Sequence, residues 1–191
     1  MKSAASLGLI LLSAACAVTP QPAPATPVAG PQPAAVFGSK PAASFLPLSR
    51  TAPTEGFELH LQRSGCYGIC PAYELTIHGN GEVDYLGAAH VAVSGIQHGH
   101  ADGQALAALR AQLADPASGS LWGSYTRGKP GCGNWATDMP RVTVEAYVDG
   151  HWRRIEHDQG CYGAPAALKS LEQAIDAAAQ SEQWVSGRSS Y

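Results

Sequence analysis

The chain has 191 residues, of which 45% are hydrophobic and 14% are charged, and its formal net charge is −3. This length is enough for one domain with a hydrophobic core and additional flanking segments. The 12 lysines and arginines are scattered, with one adjacent pair at Arg153-Arg154. They form no basic stripe of the kind that binds nucleic acid, so we predict no nucleic-acid partner.

The N-terminus has the plan of a signal peptide. Lys2 carries its one positive charge, and the residues from Ala4 to Val18 are uncharged and rich in leucine. The run ends at Thr19-Pro20, too early for a membrane-spanning helix of about 20 apolar residues. We therefore predict that residues 1–15 are a signal peptide and that the protein is exported.

The end of this segment, Leu12-Ser13-Ala14-Ala15-Cys16, resembles the bacterial lipobox. The resemblance implies acylation of Cys16, for example by palmitate, and anchoring to a membrane. Ala17 stands where an Asp would resemble an inner-membrane retention signal, which favours the outer membrane with the domain facing the periplasm. Leu12 lies one place further from the cysteine than in the commonest form, so simple cleavage near Ala15, giving a free periplasmic or secreted protein, is the alternative.

The next segment, residues 16–53, contains nine of the 14 prolines, is rich in alanine, threonine, valine and serine, and has only Lys40 and Arg50 as charged residues. Such a composition cannot bury enough apolar surface to offset the cost of ordering. We predict a disordered tether here, a single domain over residues 54–185 and a disordered tail over residues 186–191.

Alternating apolar residues predict a first strand and then a hairpin. The apolar positions are Phe57, Leu59 and Leu61 in the first strand and Tyr73, Leu75 and Ile77 in the second. Gly79-Asn80-Gly81 interrupts the second run. A three-residue loop there would pair Ile77 with Val83 and Leu75 with Tyr85, with a glycine bulge.

A second hairpin turns at Asp149-Gly150, after valines and an alanine at alternate positions 142–148. Either plausible register sets Glu145 opposite Arg153 or Arg154, as a surface pair. Tyr147 and Trp152 flank this turn and could lie on opposite faces or stack on one. If both face outward, they would form a partner-binding patch.

A helix is predicted after each hairpin, because leucine and isoleucine recur at i, i+3 and i+7. Asp102 is the expected N-cap of the first helix and Pro165 opens the second. The apolar positions are Leu106, Leu109 and Leu113, and then Leu168, Leu171 and Ile175. The predicted fold is α+β, a two-layer antiparallel sheet built from hairpins with two helices on one face. The hairpin–helix order could be an internal repeat or a coincidence of turn residues.

Four cysteines remain after Cys16, an even number in an oxidising compartment, which predicts two disulfides. Of three connectivities we favour Cys66–Cys70 with Cys132–Cys161, because the latter pair brackets the second hairpin. The Cys-x3-Cys-Pro spacing is also similar to that of copper-delivery proteins with a thioredoxin-like fold, in which thiolates bind Cu(I). In those proteins the motif opens a helix, whereas a strand is predicted after Pro71.

The block Cys66-Tyr67-Gly68-Ile69-Cys70-Pro71-Ala72-Tyr73, with Thr137-Asp138-Met139-Pro140 and Gly160-Cys161-Tyr162-Gly163, resembles the bacterial family catalogued as domain of unknown function 6438. The resemblance covers roughly residues 57–178 and implies a small α+β envelope domain with no assigned activity.

No catalytic motif, cofactor site or metal site is visible, so we predict that the protein is not an enzyme. The histidines are expected to be solvated: His60 and His78 on polar strand faces, and His98 and His100 in a glycine-rich loop. The leading hypothesis is a lipid-anchored module that binds an envelope protein or a cell-wall partner through its sheet face. The alternative is a periplasmic copper-binding or thiol-redox protein that uses Cys66 and Cys70.

Overall fold

The computed structural model describes residues 51–186, which fold into seven strands and three α-helices around one core. The strands are β1 (Glu58–Arg63), β2 (Ala72–His78), β3 (Glu82–Ala89), β4 (Gly95–His100), β5 (Gly123–Tyr125), β6 (Arg141–Val148) and β7 (His151–Asp158). The helices are α1 (Gly103–Ala114), α2 (Ala166–Ala178) and α3 (Glu182–Val185), with a 3₁₀ helix at Pro116–Leu121. The fold class is α+β, as predicted.

The strands form one sheet in the order β4-β3-β2-β1-β6-β7-β5. All neighbours are antiparallel except β5, which is parallel to β7, so the sheet is mixed rather than wholly antiparallel. The helices lie on one face, which we call the helix face, and their apolar side chains join the sheet in a single core. The opposite face, which no helix among residues 51–186 covers, is called the open face.

The register predicted for the first hairpin is confirmed. Ile77 pairs with Val83 and Leu75 with Tyr85, around the loop Gly79-Asn80-Gly81. Gly81 has a φ of +89°, a conformation that glycine adopts without steric cost. The apolar residues of both strands therefore face the core.

The second hairpin turns through Asp149 and Gly150, which both have positive φ, as a two-residue type I′ turn requires. Glu145 pairs with Arg154, one of the two predicted partners. The expectation of a surface pair is wrong for the carboxylate, because Glu145 is buried among the side chains of neighbouring strands.

The apolar stripes of α1 and α2 are confirmed, since all six predicted leucine and isoleucine side chains are buried. Asp102 caps α1 by accepting a hydrogen bond from Ala105 N (2.7 Å). Pro165 occupies the N-cap of α2, one residue before the helix begins.

The structure corrects the prediction of a glycine-rich loop at His98-Gly99-His100, because these residues belong to β4. The strand has one large apolar residue, Ile96, so it lacks the alternation on which strand prediction depends. Gly99 is needed by packing, since a Cβ there would lie 2.9 Å from the ring of Trp184 in α3. β5, the 3₁₀ helix and α3 were also not predicted, because they are too short to show periodicity.

Each hairpin is followed by a helix, but the two units extend in opposite directions from β1. β2 and β6 flank β1 and are both antiparallel to it, so they run the same way, with β3 outside one and β7 outside the other. With both helices on one face, no rotation superimposes the units. The recurrence is therefore one of order along the chain rather than of rotational symmetry.

The predicted signal peptide (1–15), the lipidated Cys16 and most of the tether lie outside the described residues, as do residues 187–191 of the predicted tail. Within residues 51–186, none of the helices has the length and apolar character needed to cross a bilayer. Ser186, assigned to the tail, caps α3 through its backbone N–H, which donates to Glu182 O.

Candidate functional site

One end of the sheet carries the most exposed large apolar side chains of residues 51–186. There β1 ends, β2 and β6 begin, and the disulfide Cys66–Cys70 closes a loop; we call this region the disulfide end. Tyr67 and Ile69 lie within the loop and are 91% and 84% exposed. Exposed aromatic and aliphatic residues of this kind are typical of binding surfaces.

The base of the loop is held by hydrogen bonds to the segment that leads into β6 and to the first residue of that strand. Tyr67 N donates to Asp138 O (3.1 Å), and Ser64 N donates to Arg141 O (2.9 Å). Ser64 Oγ in turn accepts a hydrogen bond from Arg141 N (2.8 Å). Together with the disulfide, these bonds fix the loop while leaving its apolar side chains in solvent.

A cleft of about 500 Å³ lies on the open face beside the loop. Arg154 crosses it, with its guanidinium bound to Glu145 and to Glu156 Oε1 (2.7 Å). Its other lining residues include Gln62, Ser64, Glu74, Met139, Arg141 and Thr143. The disulfide end thus combines a polar cleft with an apolar loop.

The ion pairs of the cleft set the charge of its acids. Hydrogen bonding by Arg154 holds the pKa of Glu156 below its ordinary value, although partial burial opposes this effect. Glu74 accepts a hydrogen bond from Gln62 Nε2 (2.6 Å). Glu156 is therefore ionised at neutral pH, and both acids are held by neighbouring side chains.

A row of polar side chains runs straight across the open face, through directly paired residues of six strands. From β4 to β7 its members are His98, Asp84, Thr76, His60, Glu145 and Arg154. Burial raises the pKa of Asp84, but hydrogen bonds from His78 and His98 outweigh burial and leave it below the ordinary value. Hydrogen bonds thus join the six members into three pairs across neighbouring strands, rather than leaving them as separate solvated groups.

His60 differs from the exposure predicted for it. It is buried, bonded to Thr76 Oγ1 (2.8 Å) and Glu58 Oε1 (2.9 Å), and stacked on Trp152 with ring centroids 5.8 Å apart. Burial lowers the pKa of His60 more than its carboxylate neighbours raise it. The prediction of a solvated His60 is wrong because side chains of the flanking strands cover it.

Tyr147 and Trp152, the predicted partner-binding pair, lie at the opposite end of the sheet. They face each other across β6 and β7 on the open face, with ring centroids 5.6 Å apart. Both are half-buried, and Trp152 Nε1 donates to Thr51 O (3.3 Å), where the described chain begins. Their partner-binding role stays a prediction, and the more exposed apolar residues are Tyr67 and Ile69.

The four cysteines form the two disulfides that were favoured, Cys66–Cys70 and Cys132–Cys161. Copper(I) binding uses thiolates, and sulfurs joined in a disulfide are not in that form. Cys70 leads into β2 through Pro71, not into a helix. Among residues 51–186, no three histidine, cysteine or acidic residues are grouped so as to hold a metal ion.

A partly buried charged network on the helix face was not predicted. Arg63 binds Asp176 Oδ2 through Nη2 (2.6 Å), and Tyr73 Oη donates to Asp176 Oδ1 (2.6 Å). Glu172, only 1% exposed, contacts His157 Nδ1 (2.6 Å). The spacing of Glu172 and Asp176, four residues apart beside the apolar stripe of α2, is a signal that could have revealed this network.

Burial and the neighbouring charged groups together set the pKa values of this network. Burial and the adjacent Asp176 carboxylate raise the pKa of Tyr73 well above its ordinary value. Burial lowers the pKa of Arg63, but Asp176, Tyr73 and Glu172 outweigh it and raise the net value. Arg63 therefore stays cationic and Tyr73 stays neutral, which suits a fixed structural contact between the sheet and α2.

Comparison with known proteins bears on the domain alone. A family model described as Domain of unknown function (DUF6438) matches residues 57–179, a range that holds all seven strands and the helices α1 and α2. No curated protein matches the chain. Because the match covers well over half of its length, the chain belongs to the family Domain of unknown function (DUF6438).

Proposed function

We propose that this protein is a lipid-anchored module of the bacterial cell envelope that binds an envelope protein or a cell-wall component and catalyses no reaction. In this proposal a lipid on Cys16 holds the chain on the periplasmic side of the outer membrane, and residues 16–53 provide reach. The lipobox resemblance of residues 12–16 supports the anchor. Several acyl chains on one cysteine would hold it there durably.

The observation that carries the proposal is the display of Tyr67 and Ile69 on a loop closed by a disulfide. A partner that buries a large exposed apolar side chain removes its surface from water, which is favourable, and a loop that is already fixed loses little conformational entropy on binding. The adjacent cleft adds polar groups around this apolar centre. This arrangement, an apolar centre with a polar surround, is typical of protein interfaces.

The direction of the chain also supports the disulfide end as the partner-binding surface. The described chain enters at Thr51, bonded to Trp152 near the tips of the hairpins, and β1 then runs from Glu58 to Arg63 toward the disulfide loop. Six residues of strand span about 20 Å. The loop therefore lies at the end of the sheet opposite the entry from the proposed tether.

Affinity capture from solubilised envelopes tests the proposal. The full-length chain should retain a specific partner that the double variant Tyr67→Ser/Ile69→Ser loses, while Tyr147→Ser, at the other end of the sheet, retains it. Separate arms with purified cell-wall sacculi and with envelope proteins identify the class of partner. Equal capture by the chain and the double variant, or no specific capture at all, contradicts the proposal.

Thiol-redox or copper chemistry at Cys66 and Cys70 is the second candidate, and the accessibility of that bond favours it. Both cysteines are half-buried, whereas Cys132 and Cys161 are buried. Thiol titration of the oxygen-exposed protein under mild reductant separates the candidates. If the Cys66–Cys70 bond stays closed and the protein takes up no copper, this second candidate function is excluded.

A further inference from the structure

Within residues 51–186, the strand β4 forms an edge of the sheet without the usual protection against pairing. Its six residues pair with β3 with no register shift, from His100 opposite Glu82 to Gly95 opposite Gly87. It contains no proline, lysine, arginine or acid and no bulge, the devices that commonly protect an edge strand. The other edge, β5, has only three residues.

The ladder between β3 and β4 shows which backbone groups of β4 point outward. Just beyond the strand, Ala101 N donates to Gly81 O (2.8 Å). Because hydrogen-bonded and non-bonded pairs alternate in an antiparallel ladder, Gly95, Gln97 and Gly99 use their N–H and C=O groups for β3.

The N–H and C=O groups of Ile96 and His98 therefore point away from β3. The His100 carbonyl also points outward, where it accepts a hydrogen bond from Gln180 Nε2 (3.3 Å). No other backbone hydrogen bond within residues 51–186 occupies the outward groups of Ile96 and His98. In the described part of the chain, they therefore form a free template for another strand.

We propose that β4 pairs with β4 of a second copy of this chain, antiparallel and about a two-fold axis through Gln97. In this register Ile96 exchanges two backbone hydrogen bonds with His98 of the second copy, and symmetry supplies two more. An axis through His98 would instead need the His100 carbonyl, which Gln180 already occupies, and would set two imidazoles against each other. The result is one continuous sheet across both copies.

Charge favours a second copy at this edge over other surfaces of the domain. Residues 51–186 contain all 15 acidic residues and eight of the 12 basic ones, so two domains repel each other at most orientations. β4 carries no formal charge when its histidines are neutral. The edge is thus a place where two copies can approach without like-charge contact.

Gln97→Cys tests the axis. Directly opposed residues of a non-hydrogen-bonded pair have Cα atoms about 4.5 Å apart, within the range of a disulfide. Mild oxidation of the full-length Gln97→Cys chain should give a dimer on a non-reducing gel, whereas Ala108→Cys, exposed on α1, should not. No more dimer from Gln97→Cys than from Ala108→Cys overturns the proposal.

A proline at position 98 tests the backbone pairing. The His98 N–H is not used by β3, so an edge proline is compatible with the fold but removes two of the four bonds between copies. In the Gln97→Cys background, His98→Pro should weaken dimer formation at least about tenfold, whereas His98→Ala should retain it. Thermal melts show whether each variant is folded, and equal cross-linking of folded His98→Pro and His98→Ala overturns the register.

Discussion

The two faces of the sheet both contain charged residues within alternating strands, but they use them differently. On the helix face, Arg63 lies between the sheet and α2 and forms ion pairs with both Glu172 and Asp176. On the open face, Glu145 and Arg154 form a pair whose guanidinium is about half exposed. The same residue types thus attach a helix on one side and, on the other, form a row that reaches solvent at Arg154.

This difference shows that the role of a charged residue in a strand depends on whether a helix covers that face of the sheet. A carboxylate under a helix cannot be rehydrated when its partner is removed, so its loss or isolation is costly. On the open face, Arg154 is about half exposed, so it exchanges a lost carboxylate partner for water at little cost. Structural charges should therefore be sensitive to substitution on the helix face and tolerant on the open face.

Substitution of matched glutamates should give the largest contrast. Glu172→Ala leaves buried His157 Nδ1 without its partner and opens space under α2, although Arg63 keeps Asp176, and we expect a loss of about 3 kcal/mol in the free energy of unfolding. Glu145→Ala should cost less than about 1.5 kcal/mol, because Arg154 keeps Glu156. Urea denaturation measures both, and equal losses would break the comparison.

The two disulfides should show a smaller contrast. Cys132–Cys161 joins residues 29 apart and is buried, whereas Cys66–Cys70 joins residues four apart. By loop entropy, Cys132→Ala/Cys161→Ala should cost roughly 3–4 kcal/mol and Cys66→Ala/Cys70→Ala about 2 kcal/mol. The same denaturation series measures the two losses, and the reverse order would show that the exposed loop stabilises the domain more than its size predicts.

The buried His60 of the open face should make the stability of the domain fall at acidic pH. Its pKa is below the ordinary value of 6.5 in the folded protein, so the unfolded chain binds more protons there. Stability contributed by neutral His60 is then complete above 6.5 and falls as the pH drops below it. The melting temperature of His60→Gln should decline less steeply with acid than that of the unchanged protein, with His90→Asn as an exposed control; a parallel decline would contradict the burial of His60.

The smallest effect on stability should come from the disulfide loop itself. Tyr67→Ser/Ile69→Ser removes side chains that are almost fully exposed, so the free energy of unfolding should change by less than about 0.5 kcal/mol. A large loss, measured by denaturation, would mean that these residues support the fold, and the capture experiment would then need a different variant.

The sequence predicted those parts of the fold in which apolar residues recur with a clear period or in which turn residues are clustered. The register of Ile77 with Val83 follows from one glycine-rich turn, and the stripe of Leu168, Leu171 and Ile175 follows from helical spacing. β4 escaped because its packing depends on the Trp184 ring against Gly99, a contact between distant parts of the chain. The pairing of β5 with β7 is equally nonlocal.

The candidate site was only partly predictable. Sequence singled out Cys66 and Cys70, but the exposure of Tyr67 and Ile69 depends on where the loop leaves the sheet. The spacing of Glu172 and Asp176 marks a polar edge of α2, but it does not identify Arg63 in β1 as the partner, because that contact joins distant parts of the chain. Tyr147 and Trp152 were placed correctly at the second turn, whereas their half-burial depends on His60 and Thr51.

Site-specific photo-cross-linking in intact cells tests most directly whether the disulfide end is the partner-binding end. A photoreactive phenylalanine analogue replaces Tyr67 in one full-length chain and Tyr147 in another, and adducts are compared after irradiation. The account predicts a discrete higher-mass adduct from position 67 and none from position 147. An adduct from position 147 alone, or none from position 67, would contradict it.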